Sequence, residues 1–309
     1  SPSALARFLW TRGLWLVIVE ATLVSFGWSF DPGLHVVVLQ VIWAIGWSMV
    51  FLAMLVRLPA AAIGAIGVAI VGLHDLLDPI RPDRFGGFAW LWNVLHVPSW
   101  DPIARADGHA FMLVYPLIPW VGVMAAGYAF GEVYSWEAGR RRRFLLRLGA
   151  GLTLLFAALR WTNVYGDPRR WAPQKSALLT LMDFLNCEKY PPSLLYLLMT
   201  LGPSIALLAL LERRPGPIAS KVSVYGRVPF FYYVLHIPLI HAMAVALFLA
   251  AAGPAALKSG LDNPPAGGFG LGLPGVYAAW AVAVAILYLP CRWFAGLKAR
   301  RRDPWLSYL

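Results

Sequence analysis

The stretch Pro229–Ala252, PFFYYVLHIPLIHAMAVALFLAAA, runs without a single Asp, Glu, Lys or Arg. A helix of about 20 mostly apolar residues is long enough to cross the hydrocarbon core of a bilayer. Working outward, comparable runs occupy Leu9–Phe30, Val36–Val56, Ala60–Leu77, Leu113–Tyr134, Phe144–Trp161, Ser193–Leu211 and Gly275–Leu297. The runs are long and unbroken, whereas a membrane barrel shows short alternating segments. Composition agrees. Hydrophobic residues make up 60% of the 309 and charged residues only 13%, against roughly 45–50% and about 25% in soluble domains. Mean hydropathy is +0.65. These values exclude a soluble globular enzyme, a disordered chain and a nucleic-acid binder, despite a net charge of +11. The fold class they predict is all-α: a polytopic helical membrane protein with about eight transmembrane helices.

Lys and Arg collect in short cytoplasmic loops of such proteins. With an inner N-terminus, one set of junctions takes Arg7, Arg12, Arg57, Arg140 to Arg143, Arg147, Arg213, Arg214, Lys221, Arg227, Arg292, Lys298 and Arg300 to Arg302. That is 17 of the 26 basic residues. The remaining ones spread over longer outer loops: Asp31–His35, Asp78–Met112, Thr162–Pro192 and the Gly/Pro-rich Gly253–Pro274. Both ends of the chain are therefore expected on the cytoplasmic side. Cys187 then falls outside and Cys291 near the inside, so no disulfide joins them.

Four polar constellations interrupt the apolar pattern. In GLHDLLDPI, Gly72–Ile80, His74 and Asp78 stand four residues apart and share a helix face. Together they read as an oriented acid/base pair or a polar-substrate contact, with a polar helix end at the interface as the plainer alternative. In TLMDFLNCEKYPPSLLY, Thr180–Tyr196, the residues Asp183, Asn186, Lys189 and Tyr190 precede Pro191 and Pro192. Those prolines open the sixth span, and free N–H groups at a helix start favour anionic or hydroxyl ligands. Lys189 and Tyr190 also fit an interfacial anchor. In YGRVPFFYYVLHIPLIH, Tyr225–His241, His236 lies inside an apolar span beside Pro238, which kinks it. An intramembrane histidine is a functional candidate by default, or else a packing hydrogen bond. In ALRWTNVYGDPRRW, Ala158–Trp171, Arg160, Asn163, Tyr165 and Asp167 could meet sugar hydroxyls, with Trp161 or Trp171 stacking on a ring; a turn with an aromatic belt is the plainer reading. Glu20, inside the first span, calls for a polar partner or a cavity. The chain has no P-loop, GxGxxG, GxSxG or metal-ligand spacing.

The order TRGLWLVIVEATLVSFGWSF, QVIWAIGWSMV, GLHDLLD, VYPLIPWVGVMAAGY, LRWTNVYGDPRRW, DFLNCEKYPPSLLYLLMTLGP and GRVPFFYYVLHIPLIH resembles bacterial membrane proteins with a heparan-alpha-glucosaminide N-acetyltransferase-like catalytic domain. The resemblance runs across almost the whole chain, 1–309, and implies one transmembrane acyltransferase-like domain in a bacterial inner membrane. It implies transfer of an acetyl group from cytoplasmic acetyl-CoA to an amino sugar or glycan on the far side. Family members begin with two further spans, and the histidine linked to acetyl transfer lies in the loop after the first of them. This chain starts at what corresponds to the third, and none of its six histidines matches that position. On chemical grounds, His74 with Asp78 is the expected base pair. His236 is the expected approach to the thioester. Asn163, Asp183, Asn186, Lys189 and Tyr190 are the expected acceptor contacts. His74, Asp78, Asn186, Lys189 and His236 are expected to converge on one polar cavity between helices. A transporter or flippase for a sugar or lipid-linked intermediate is the competing class. The absence of inverted-repeat symmetry disfavours it.

Overall fold

A computed structural model describes residues 1–212, 216–253, 270–301 and 303–308. The chain is an all-α polytopic membrane protein. Among the described residues, six helices are long and apolar enough to cross a membrane: Pro2–Ser29, Ala60–Leu77, Ala138–Thr162, Leu194–Leu211, Pro229–Ala252 and Leu273–Arg300. The other two expected spans form shorter helices, α3 (Val41–Leu55) and α6 (Leu117–Phe130). The reason is a three-stranded sheet that the apolar pattern did not announce. Strand β1 (Val36–Leu39) takes the start of the second run and pairs in parallel with β3 (His109–Leu113). Strand β2 (Ser99–Ala106) pairs antiparallel with β3, giving the order β1-β3-β2. The β2–β3 turn is Asp107-Gly108, both with positive φ (48° and 82°), the conformation that Asp-Gly favours in tight hairpins.

The chain divides into two compact units. The first comprises Ser1–Ala21 and Val36–Arg214. In it α1 (Pro2–Val19) packs on α3, α4 (Ala60–Leu73) on α6, and α7 (Ala138–Thr162) on α9 (Leu194–Leu211). Each pair closes backbone to backbone at glycines. A Cβ on Gly13 would stand 2.5 Å from the Gly46 carbonyl oxygen, one on Gly67 2.3 Å from the Ala126 nitrogen, and one on Gly149 2.5 Å from the Ala206 nitrogen. Small residues at such crossings let membrane helices gain van der Waals contact where no hydrophobic force drives them together. The segment after α4 holds α5 (Ala89–Leu95) besides β2 and β3, and the segment after α7 holds α8 (Ala177–Leu185).

The second unit comprises Thr22–His35 and Pro215–Leu309. Here α2 (Ser25–Ser29) packs on α11 (Pro229–Ala252), while α10 (Pro217–Arg227) and α11 pack on α12 (Leu273–Arg300). Its core joins Val224, Val228, Cys291, Phe294 and Leu306, with Phe231 stacked on Phe294 at 4.3 Å. Cys187 and Cys291 are free thiols. Arg213, Arg214, Lys258 and most of the expected outer loop Gly253–Pro274 lie outside the described residues.

Candidate functional site

The C-terminal end of α4 carries the densest polar chemistry of the first unit. After Leu73 the chain tightens into a 3-10 turn, His74–Leu77, and Pro79 prevents the helix from continuing. The change from 3.6 to 3 residues per turn re-aims the side chains. His74 does not pair with Asp78, as the four-residue spacing predicted. Its Nε2 lies 3.1 Å from Asp75 Oδ1 and 2.9 Å from the Pro192 carbonyl oxygen. Its Nδ1 faces the carbonyls of Val71 (3.0 Å) and Ile70 (3.2 Å). Asp75 also accepts the Leu194 N–H at 3.0 Å. This buried pair therefore fastens the end of α4 to the start of α9.

Asp78 turns instead to His96, at the end of α5: Asp78 Oδ1 lies 2.9 Å from His96 Nε2. The His96 side chain is 1% exposed and that of Asp78 29%. Trp92 lies 5.5 Å from the His96 ring and anchors the turn by donating its indole N–H to the Ile80 carbonyl (2.8 Å). The rings of His74 and His96 stand edge to face at 6.1 Å. Two imidazole–carboxylate pairs thus sit side by side. The second nitrogen of His96, Nδ1, is buried and has no hydrogen-bond partner among the described residues.

The loop between α7 and α9 is held over this cluster by Arg160. Its guanidinium donates to four carbonyls: Arg169 (2.6 Å), Phe184 (2.9 Å), Asn186 (3.0 Å) and Asp183 (3.1 Å). It also lies 3.7 Å from Asp167 Oδ1, both side chains being 1% exposed. Asp167 accepts the Glu188 N–H and the Ser193 hydroxyl, and the Tyr165 hydroxyl donates to the Gly72 carbonyl at 2.7 Å. Several expected acceptor contacts are engaged in this framework. The Asn163 amide exchanges both its bonds with the Trp171 backbone, and Asp183 accepts the Ala172 N–H. The Asn186 side chain is exposed beside a shallow depression that Gln174 and Met182 also line.

Lys189 and Tyr190 stay half-buried, the ammonium 4.9 Å from the ring centre. Their hydrogen bond holds the Lys189 ammonium above the ordinary lysine range. Burial pushes the Tyr190 hydroxyl up, but its bonds with Lys189 and Tyr115 prevail and bring it below the usual tyrosine value. Tyr190 belongs to an aromatic wall with Tyr115, Trp43, Trp47 and Trp120, built on the starts of α3 and α6. The indole N–H groups of all three tryptophans are buried without a hydrogen-bond acceptor among the described residues. Glu20, fully buried at a π-turn, accepts the Gln40 N–H at 3.2 Å.

The family model for heparan-alpha-glucosaminide N-acetyltransferase, catalytic, matches residues 3–161. The chain belongs to this N-acetyltransferase family. It is therefore a member of a membrane acyltransferase family, and the matched segment contains both imidazole–carboxylate pairs. No curated protein and no solved structure matches the chain. The residues beyond the match include the Asp167 framework, Lys189 and the whole α11–α12 region. His236 stands in that last region, in the second unit. Its Nδ1–H donates to the Tyr233 carbonyl, and its ring stacks on Tyr232 at 5.4 Å. It lines a largely apolar cavity of about 920 Å³ between α11 and α12, with Ile240, Met243, Leu247 and Trp280.

Sequence reasoning passed over His96 and Asp75 as site residues. No periodicity links His96 to Asp78, 18 residues earlier. An ideal α-helix turns Asp75 away from its neighbour His74, and the 3-10 turn brings it back.

Proposed function

We propose that this protein moves an acetyl group from cytoplasmic acetyl-CoA to an amino sugar or glycan presented at the outer side of a bacterial inner membrane, with both chain ends inside. The carrying observation is the cluster of two imidazole–carboxylate pairs at the outer end of α4, within the segment that matches the family. Acetyl transfer needs a base for the acceptor and donors for the oxyanion that develops on the thioester carbonyl. Asp78, the less buried carboxylate of the cluster, is the group open to an arriving acceptor, beside the buried His74–Asp75 pair. Asn186, Lys189 and Tyr190 offer donors at the rim. The wall of Trp43, Trp47, Trp120 and Tyr115 supports a sugar as acceptor. An indole N–H can only donate, and a pyranose brings ring oxygens for such donors and a face for stacking.

The reaction balances without further reactants. The acceptor nitrogen forms a bond to the carbonyl carbon, the carbon–sulfur bond breaks, and one acceptor proton ends on the sulfur of free CoA. The test uses the full-length protein in proteoliposomes, with acetyl-CoA on one face and amino sugars on the other. N-acetylated product and free CoA are expected, with the donor consumed only from the face bearing Arg140–Arg143. Sugar crossing the vesicle wall with no acetylation would replace the enzyme by a transporter.

A further inference from the structure

We infer that the end of the second unit where α10 meets the last turns of α12 binds the headgroup of an acidic phospholipid. The inference is independent of the acyltransferase reading.

Charge points to an anion. Residues 217–227 and 291–309 carry seven Lys and Arg against one acid, Asp303. They form one patch, because Val224 and Val228 share a core with Cys291, Phe294 and Leu306. Arg301 takes up Asp303 at 3.8 Å. Lys221, Arg227, Arg292 and Arg300 are exposed and form no ion pair among the described residues. The Arg140–Arg143 run is the contrast. There Glu212 pairs with Arg141, and the Trp136 ring lies 4.4 Å from the Arg140 guanidinium.

Shape and the apolar side chains point to a lipid. Leu289, Arg292, Trp293, Gly296 and Arg300 fall on one face of α12 and line a depression of about 620 Å³. Gly296 leaves that space open: a Cβ built there would meet only the Arg300 guanidinium, 3.9 Å away. Leu289 and Trp293 are exposed beside the arginines, and on α10 Ile218 and Val222 are exposed beside Lys221. Ile218 and Val222 stand four residues apart, on one helix face. Such a helix, apolar on one side with a basic flank, suits the boundary between headgroups and acyl chains, and tryptophan favours the same level. Guanidinium groups bind phosphate oxygens through paired N–H donors. A soluble anion would use the arginines and leave the apolar side chains in water. A purely apolar ligand would leave the arginines unused. An acidic phospholipid satisfies both, with its phosphate at Arg292 and Arg300 and its chains along Trp293 and Leu289.

The test titrates the full-length protein in detergent with brominated phosphatidylglycerol or brominated phosphatidylcholine and reads tryptophan quenching. The quenching lost in Trp293→Phe isolates this ring from the others. Each basic residue near an anionic lipid surface contributes roughly fivefold. Arg292→Gln/Arg300→Gln should therefore weaken phosphatidylglycerol binding roughly 25-fold and leave phosphatidylcholine binding as it was. Gly296→Leu keeps every charge but fills the depression, and should weaken phosphatidylglycerol binding as well. Arg84→Gln/Arg170→Gln removes two exposed arginines elsewhere and should bind like the wild type. Thermal unfolding checks that each variant folds, and Arg292→Gln alone, with a roughly fivefold loss, replaces the double variant if that one does not. Equal binding of both lipids by the wild type overturns the site, and so does a control that loses as much as the site variant. Wild-type binding in Gly296→Leu also overturns it. Displacement by inorganic phosphate beyond that by chloride at equal ionic strength would replace the lipid by a free anion.

Discussion

The first unit and the α11–α12 pair of the second treat polar groups and helix contacts in opposite ways. In the first, α4 meets α6 and α7 meets α9 at glycines, backbone against backbone, and the buried acids and bases find side-chain partners. In the second, α11 and α12 enclose a largely apolar cavity of about 920 Å³, and the histidine on its wall bonds to its own helix. The difference lies in the loops. The loops after α4 and α7 of the first unit fold back over the helix ends as short helices, a sheet and an arginine clip. They bring carboxylates and carbonyls to groups that a lone helix leaves unsatisfied.

Removing the clip should be the most damaging change. Arg160→Met deletes the donor to four carbonyls and leaves the Asp167 carboxylate, 1% exposed, without its cation. Breaking a buried pair from one side costs about 3–5 kcal/mol, read as a large drop in unfolding temperature in detergent. An unchanged midpoint would show that the loop does not depend on the clip.

Next in size is the reactivity of Cys187, packed under the same loop. Burial pushes its thiol up to about 12, with Arg160 pulling the other way. An ordinary thiol sits near 8.5, and only the thiolate reacts. At pH 8 Cys187 should alkylate about 10³-fold more slowly than an exposed cysteine. In Arg160→Met it should speed up if the loop opens. Fast labelling in the intact wild type would contradict the closed loop.

Smaller effects separate the two kinds of helix contact. Gly67→Val puts a side chain where the Ala126 nitrogen stands, 2.3 Å from the ideal Cβ, and overpacking of this kind costs about 1–3 kcal/mol. Gly127→Ala, in the partner helix but facing open space, is its matched control. Ala244→Leu, on the cavity wall of the second unit, should shift stability by no more than about 0.5 kcal/mol. Equal losses for Gly67→Val and Ala244→Leu, measured by thermal unfolding, would erase the distinction between a closed pair and an open one.

Much of this was legible in the linear chain, and the failures have definite causes. The eight apolar runs each contain a helix, because length and hydropathy alone decide what can sit in hydrocarbon. Asp107-Gly108 carried a hairpin signal, but the short strands beside it gave none as strong as the spans. Arg160 was visible as an expensive charge at a span end, and what it binds is backbone. Its partners are carbonyls of residues 169, 183, 184 and 186, and a carbonyl's position is written in no side chain.

The sequence by itself determined where the membrane helices lie, that the polar residues near their ends need partners, and which family the motifs resemble. Only the tertiary structure decided who those partners are. His74 meets a carbonyl 118 residues away, Asp75 a backbone N–H 119 residues away, and Asp78 a histidine 18 residues away. Hydrophobic burial follows from composition along the chain. A hydrogen bond is fixed by direction and by distances near 3 Å, and these exist only once the loops have come back over the helix ends.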